Sequence, residues 1–303
     1  MGRRGSGSDA RPPAPAMLIG SPPSAWGRPD RQGLSVDLLG CDTMVDVQVV
    51  GGGRMGEALV GGWLASGRAP ASIRIVEVHP DRRVDLAQRY SGCDVSERIG
   101  AASGTVVAVK PGDVPSVVAR VGAAGGGRVL SIAAGVTLHQ LETAAGPGVP
   151  VIRAMPNTPA LVRCAMTAIV AGAAAAPADL EWARELLSAV GEVVEVAESQ
   201  IDAVTAVSGS GPAYVFLVAE AMVDAGVLAG LPRDLATQLT NQTLLGAAQL
   251  LGSDGTAADH RAAVTSPGGT TAAGLRALEA RAVRSAFLDA VMAAKARSVE
   301  MSS

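Results

Sequence analysis

The stretch Val45-Asp-Val-Gln-Val-Val followed by Gly51-Gly-Gly-Arg-Met-Gly56 constrains this chain more than any other. An alternating, β-branched run of six residues reads as a strand. The glycines at 51, 53 and 56 form a G-x-G-x-x-G turn, and a helical pattern runs from about Met55 to Ala65. A strand that passes through such a turn into a helix opens a βαβ unit. The spacing is that of a dinucleotide fingerprint: a tight turn, a close approach for a pyrophosphate, and a helix packed on its strand. In a chain with 37 glycines the motif takes its weight from this context.

The alternation continues. Apolar runs at Ile73–Val78, Thr105–Val109, Arg128–Ile132 and Val149–Ile152 enclose helix-like segments at about 81–90, 113–122 and 137–144. A further strand, helix and strand occupy about 166–197, with Gly191 ending the helix. Short strands alternating with helices of this length predict a mostly parallel sheet. After about residue 206 the strands stop, and Pro212–Ala225, Arg233–Leu251 and Thr271–Met301 read as helices. The expected organisation is a disordered extension over 1–43, a dinucleotide-binding domain over 44–205 and an all-α domain over 206–303. The first segment is rich in Pro, Gly, Ser and Arg and has too few apolar residues to offset ordering entropy. Met44, directly before the first strand, is a candidate start.

Composition narrows the function. Apolar residues make up 48% and charged residues 17% of the 303 positions, enough for a sizeable core. A net charge of −3 gives no electrostatic case for a nucleic acid or a membrane surface. Only 3 Trp, 2 Tyr and 2 Phe are present, too few for base-stacking platforms. Cys41, Cys93 and Cys164 and the three histidines are scattered, so no disulfide framework or metal site is expected. No unbroken apolar run reaches the roughly 18 residues of a membrane span, and no secretory signal is visible, so the expected location is cytoplasmic.

Several strand ends carry chemistry. Glu77 lies where an acid accepts from an adenosine ribose hydroxyl, yet Arg82 and Arg83 follow and can pair with a 2′-phosphate. The residues leave that choice open. Lys110, one of only two lysines, ends a strand and is followed by Pro111. Arg153-Ala-Met-Pro-Asn157-Thr-Pro-Ala follows another, with Asn157 a ligand-facing residue or a turn residue between prolines. In the helical part, Ala206-Val-Ser-Gly-Ser-Gly-Pro-Ala-Tyr and Val264-Thr-Ser266-Pro-Gly-Gly-Thr270-Thr271 each place hydroxyls and flexible backbone ahead of a helix. Free N–H groups at such a start bind a carboxylate.

Together with Ala108-Val-Lys-Pro, Ala133-Ala-Gly-Val and Asp202-Ala-Val-Thr, these strings resemble the pyrroline-5-carboxylate reductase family over about residues 45–300. The two helical-domain strings are the most specific. The resemblance implies a Rossmann-type domain with a helical dimerisation domain, and NAD(P)H-dependent reduction of the cyclic imine 1-pyrroline-5-carboxylate to proline. NADPH is the expected cofactor, with NADH an option. It also implies a homodimer, with assembly into a larger ring such as a decamer left open. Carried over, Gly51, Gly53, Arg54, Met55, Gly56, Val109, Lys110, Pro111, Ala134 and Asn157 contact the cofactor. Glu198, Ser266, Thr270 and Thr271 meet the substrate, Thr271 as the catalytic hydroxyl. Val78-His79-Pro80 and Asp94-Val-Ser-Glu97 depart from the small polar residue and the Asn common in the family at the adenosine end. The rivals are a 3-hydroxyacid dehydrogenase-like enzyme and a dinucleotide sensor without turnover. The first resembles a pattern with a lysine early in the helical domain, and residues 206–294 contain none. The second predicts decay of the Thr-rich loop, which is intact.

Overall fold

Residues 44–302 are described by the computed structural model, and the expected extension over 1–43 lies outside them. Eight strands form one sheet: β1 (Val45–Val50), β2 (Ile73–Val76), β3 (Asp94–Ser96), β4 (Ala102–Val107), β5 (Arg128–Ser131), β6 (Val151–Met155), β7 (Ala165–Ala171) and β8 (Gly191–Glu195). Their order is β3-β2-β1-β4-β5-β6-β7-β8, and every neighbouring pair is parallel except β6 and β7. The mostly parallel sheet is as predicted. Val50 is in register with both Val76 and Val107, so β2, β1 and β4 end level and their loops open on one edge.

Helices α1 (Arg54–Ala65), α2 (Pro80–Arg89), α3 (Val114–Ala123), α4 (Leu138–Ala145) and α5 (Pro177–Ser188) cover both faces. Val47, Val49 and Val106 pack with Leu59, Trp63 and Leu186 of α1 and α5. Val50 and Val107 point the other way, into Val118 of α3 and Leu141 of α4. A strand buried on both faces needs apolar residues throughout, which is why these runs are rich in valine and isoleucine. Gln48 breaks the run at zero exposure and is satisfied by Gly100 O at 2.8 Å and Thr105 Oγ1 at 2.9 Å. The buried amide is tolerated because it has partners. Trp63 likewise donates from Nε1 to Leu186 O at 2.9 Å, tying α1 to α5.

Beyond β8 the chain is helical. Short α6 (Ile201–Val204) runs through a wide π turn, Thr205–Gly209, into α7 (Gly211–Leu228). Then come α8 (Arg233–Leu251), α9 (Ala257–Ala263), α10 (Thr270–Ala280) and α11 (Val283–Ser302). No residue of α7, α9 or α10 is buried, and α11 buries Ser298 alone. Phe216 (63% exposed), Leu217 (65%), Leu288 (69%) and Met292 (61%) therefore face outward. A patch of this kind marks an interaction surface.

The structure corrects several expectations. Gly191 does not end α5, which stops at Ser188; it opens β8 at φ +154°, where a Cβ would lie 2.1 Å from Ala165 O. The single helix expected over Thr271–Met301 is two, broken at Ala282 in the left-handed region (φ +54°). Of the Ser-Gly-Ser-Gly segment, Ser208 and Gly209 are wound into the π turn, Ser210 follows it and Gly211 opens α7, so it is not a loose loop before a helix. β3 and α9 were not foreseen. The expectation of no membrane-length stretch also changes. The 31 residues Glu198–Leu228 form one helical stretch long and apolar enough, by length and composition, to cross a bilayer. Counting unbroken apolar residues misses it because Ser208, Ser210 and Glu220 interrupt the run.

Helices without a core of their own are marginal until another surface covers them. At micromolar protein, light scattering should give a mass of at least two chains; a monomer with full activity would contradict the reading of this surface.

Candidate active site

The site is built from the level edge where β2, β1 and β4 end. Gly51 leaves β1 at φ +111°, and a Cβ there would lie 2.5 Å from Ala108 O, so only glycine makes the turn. Gly56 lets α1 lie against that turn, for a Cβ at 56 would be 2.1 Å from Gly51 O. Gly53 is different: a Cβ there meets nothing within 4 Å and would project into open space. Gly53 is also the N-cap of α1, and no side chain caps that helix start. Uncapped N–H groups facing a space kept clear of side chains suit a pyrophosphate.

A cleft of about 480 Å³ opens here, lined by Gly51, Gly53, Glu77, His79, Val109 and Lys110 among others. Of the residues expected to hold a cofactor, it brings together Gly51, Gly53, Val109 and Lys110. Lys110 is exposed at the end of the β4 segment, and Pro111 follows it in a 3-10 turn. Arg54 and Met55 lie in the first turn of α1, and Arg54 lines a separate recess with Arg89, Tyr90 and Arg163. Burial and nearby Glu57 push the Tyr90 hydroxyl above its ordinary pKa. Ala134 sits in the turn after β5. Asn157 is outside the cleft lining, where its Nδ2 donates to Ser208 O and Oγ, both at 3.2 Å, and its Oδ1 accepts from Met166 N at 3.0 Å.

At the end of β2, left open by the sequence, the acidic and basic side chains take definite directions. The Glu77 side chain is buried, accepting from Gly52 N at 3.1 Å and from His79 N at 2.9 Å. Arg82 turns away to Glu57, Asp85 and Gly52 O, and Arg83 donates to Glu77 O, Val78 O and Glu97.

The residues expected to meet a substrate are dispersed. Glu198 accepts from Arg153 Nη1 at 2.6 Å and from Leu138 N at 3.0 Å, and its Oε2 is buried with no partner. Arg153, 5% exposed in β6, is the residue that sequence reasoning passed over. A charge inside an apolar strand demands a partner, and that was the available signal. Ser266 folds over Gly269, where a Cβ would be 2.4 Å from its Oγ. Thr270 and Thr271 start α10 behind Gly269, with no side-chain cap. None of the three lines the cleft of Gly51 and Lys110. A larger apolar groove of about 630 Å³ lies between Asn157, the π turn, α7 and α11.

Fold and cleft together define an oxidoreductase of the dinucleotide-binding class carrying a helical domain. Residues 198–301 match the family model described as pyrroline-5-carboxylate reductase dimerisation. Residues 46–135 match one described as NADP oxidoreductase, coenzyme F420-dependent. The pyrroline-5-carboxylate reductase of Mycobacterium tuberculosis (strain H37Rv) is 44% identical over 286 residues, covering 85% of this chain and 97% of that protein. The Escherichia coli (strain K12) protein of the same name is 37% identical over 84% of this chain and 97% of its own length. A solved pyrroline-5-carboxylate reductase from Coxiella burnetii superposes with a TM-score of 0.80 at 33% identity, covering 86% of this chain and all of that one. The Plasmodium falciparum pyrroline carboxylate reductase, solved with NADP bound, gives 0.75 at 28% identity over 86% and 98%. The chain belongs to the pyrroline-5-carboxylate reductase family, as the sequence strings indicated, and its helical part is a dimerisation domain.

The glycines separate fold from ligand. Gly56→Ala should destabilise the protein by roughly 1–3 kcal/mol or more, since backbone must move. Gly53→Val should leave the melting temperature nearly unchanged and abolish dinucleotide binding in calorimetry.

Proposed function

We propose that this protein reduces 1-pyrroline-5-carboxylate to proline with NAD(P)H. The observation that carries the reading is the open cradle at Gly53 beneath an uncapped helix start, in a chain of this family. When bound there, the reduced nicotinamide supplies the hydride; the protein binds, orients and handles the proton. Gly51, Gly53 and the N–H groups at Arg54, Met55 and Gly56 hold the pyrophosphate. Val109, Lys110, Pro111, Ala134 and Asn157 line the path toward the reacting end. The imine carbon accepts hydride while the ring nitrogen ends with one proton more. The N–H groups at Thr270 and Thr271 hold the carboxylate, with Ser266 ordering the turn and Glu198 on the substrate's other side. The Thr271 hydroxyl hydrogen-bonds the ring nitrogen.

We place residues 44–205 in the cofactor domain and 206–303 in the substrate and dimerisation domain. Because α10 buries nothing and does not line the cleft, its start meets the cleft of a second copy, so that each site draws on two chains. That copy, rather than lipid, covers Glu198–Leu228. The first residues of this stretch are held to the sheet domain by Glu198–Arg153 and Ser208–Asn157, and the rest, α7, carries Glu220 and Asp224, charges costly in a bilayer core. A cytoplasmic enzyme, with dimers assembled into a decamer, completes the proposal.

Purified protein should oxidise NADH or NADPH when 1-pyrroline-5-carboxylate is added. Dinucleotide binding without turnover would favour the sensor reading. Thr271→Val should lower kcat/KM by roughly tenfold to a hundredfold with little change in stability; unchanged kinetics from neutral to alkaline pH would remove its role. Mixed dimers of Gly53→Val and Thr271→Val chains should show activity well above the residual level of either variant alone, because one site of each mixed pair is intact. Additive residual activities would place both elements in one chain.

A further inference from the structure

We propose that Glu77 makes the cleft select the dinucleotide whose adenosine ribose carries a free 2′,3′-diol, NADH, over the one with a 2′-phosphate, NADPH. The inference rests on the reading of the Gly51–Gly56 cleft as the dinucleotide site.

Glu77 directly follows β2, the strand beside β1, where the adenosine ribose of a dinucleotide lies in this kind of sheet. Its carboxylate is fixed rather than free to swing. One oxygen accepts from Gly52 N at 3.1 Å, the other from His79 N at 2.9 Å, and the residue is 8% exposed while still lining the cleft. Those bonds use two of about four acceptor positions on a carboxylate, leaving one on each oxygen for a hydroxyl donor. A ribose diol offers two such donors. A 2′-phosphate offers acceptors and negative charge, against a carboxylate that cannot retreat.

The two arginines of α2 that could offset such a charge are engaged. Arg82 braces the glycine turn, donating from Nε and Nη2 to Gly52 O at 3.1 and 3.0 Å and pairing with Glu57 and Asp85. Arg83 braces the end of β2, donating from Nη1 to Glu77 O at 3.0 Å and Val78 O at 2.9 Å and pairing with Glu97 at 3.3 Å. Lys110 and Arg120 line the cleft from β4 and α3, across β1 from Glu77. His79 gives its backbone N–H to Glu77, and its ring is the one basic group left beside the carboxylate in the cleft lining.

Dissociation constants for NADH and NADPH, measured by calorimetry on the full chain, test this. NADH should bind at least about tenfold more tightly, since a like-charge contact opposes the phosphate. Glu77→Gln keeps shape and one acceptor and removes the charge; it should tighten NADPH more than it weakens NADH. Should that variant unfold, adenosine 5′-monophosphate against adenosine 2′,5′-bisphosphate on the unaltered protein gives the same comparison. Equal or tighter binding of the phosphorylated member of either pair would overturn the proposal. So would an Arg83→Ala variant that loses NADPH affinity alone, because the arginine would then be meeting the phosphate. Binding of neither dinucleotide would overturn the cleft reading itself, and this inference with it.

Discussion

Between the Gly51 carbonyl and the α carbon of Gly56 there is room for a hydrogen atom and nothing larger. That contact sets the start of α1 against the end of β1, and the rest of the edge follows from it. With α1 in this place, Gly52 turns its N–H to Glu77 and its carbonyl to Arg82, so the glycine turn and the β2 end are tied together. Ala108 N donates to Val50 O at 2.8 Å and closes the other side of β1. The cleft is the space left between these three strand ends, and its shape comes from backbone rather than from long side chains.

The helical part is held by a different kind of force. Toward the sheet, Ile201 and Val204 pack with Ala168, Val170 and Met155, and directional bonds join Arg153 to Glu198 and Asn157 to Ser208; within the helical part Ser298 Oγ donates to Asp202 Oδ1 at 2.6 Å. Away from the sheet its surface is apolar. Directional bonds fix where the first helical residues sit, while the undirected hydrophobic surface is free to be covered by a second chain. The two kinds of contact divide the work of placement and association.

The parallel sheet was legible because its central strands are buried on both faces and so read as apolar, largely β-branched runs. β3 was not, since Asp94-Val-Ser is a three-residue edge strand with no buried residue. The start of α9 did carry a signal, as Thr256 and Asp259 form a reciprocal cap of the Thr-x-x-Asp kind. The break at Ala282 had none: no glycine or proline marks it, and the alanine there is left-handed at a cost of roughly 1–2 kcal/mol. At the site, motif spacing located Gly51, Gly53 and Lys110 because backbone geometry dictates them. The direction of Arg82 and Arg83 depends largely on Gly52, Glu57 and Glu97, which lie on other elements. Linear spacing holds no record of which acid an arginine reaches.

The π turn at Thr205–Gly209 sets a phase between two parts of one helix. A π turn is an α turn with one residue added, and each residue of an α-helix rotates the chain by about 100°. Before it, Asp202 faces α11; after it, Tyr214 reaches back to Ala206 O while Phe216 and Leu217 face out. Without the added residue, everything from Gly211 onward would turn by more than a quarter revolution about the helix axis. The apolar stripe of α7 would then address a different direction from the one Asp202 and Ser298 have fixed. A single inserted residue thus works as an angular offset, aligning the outward face of the helix with an anchor set two turns earlier.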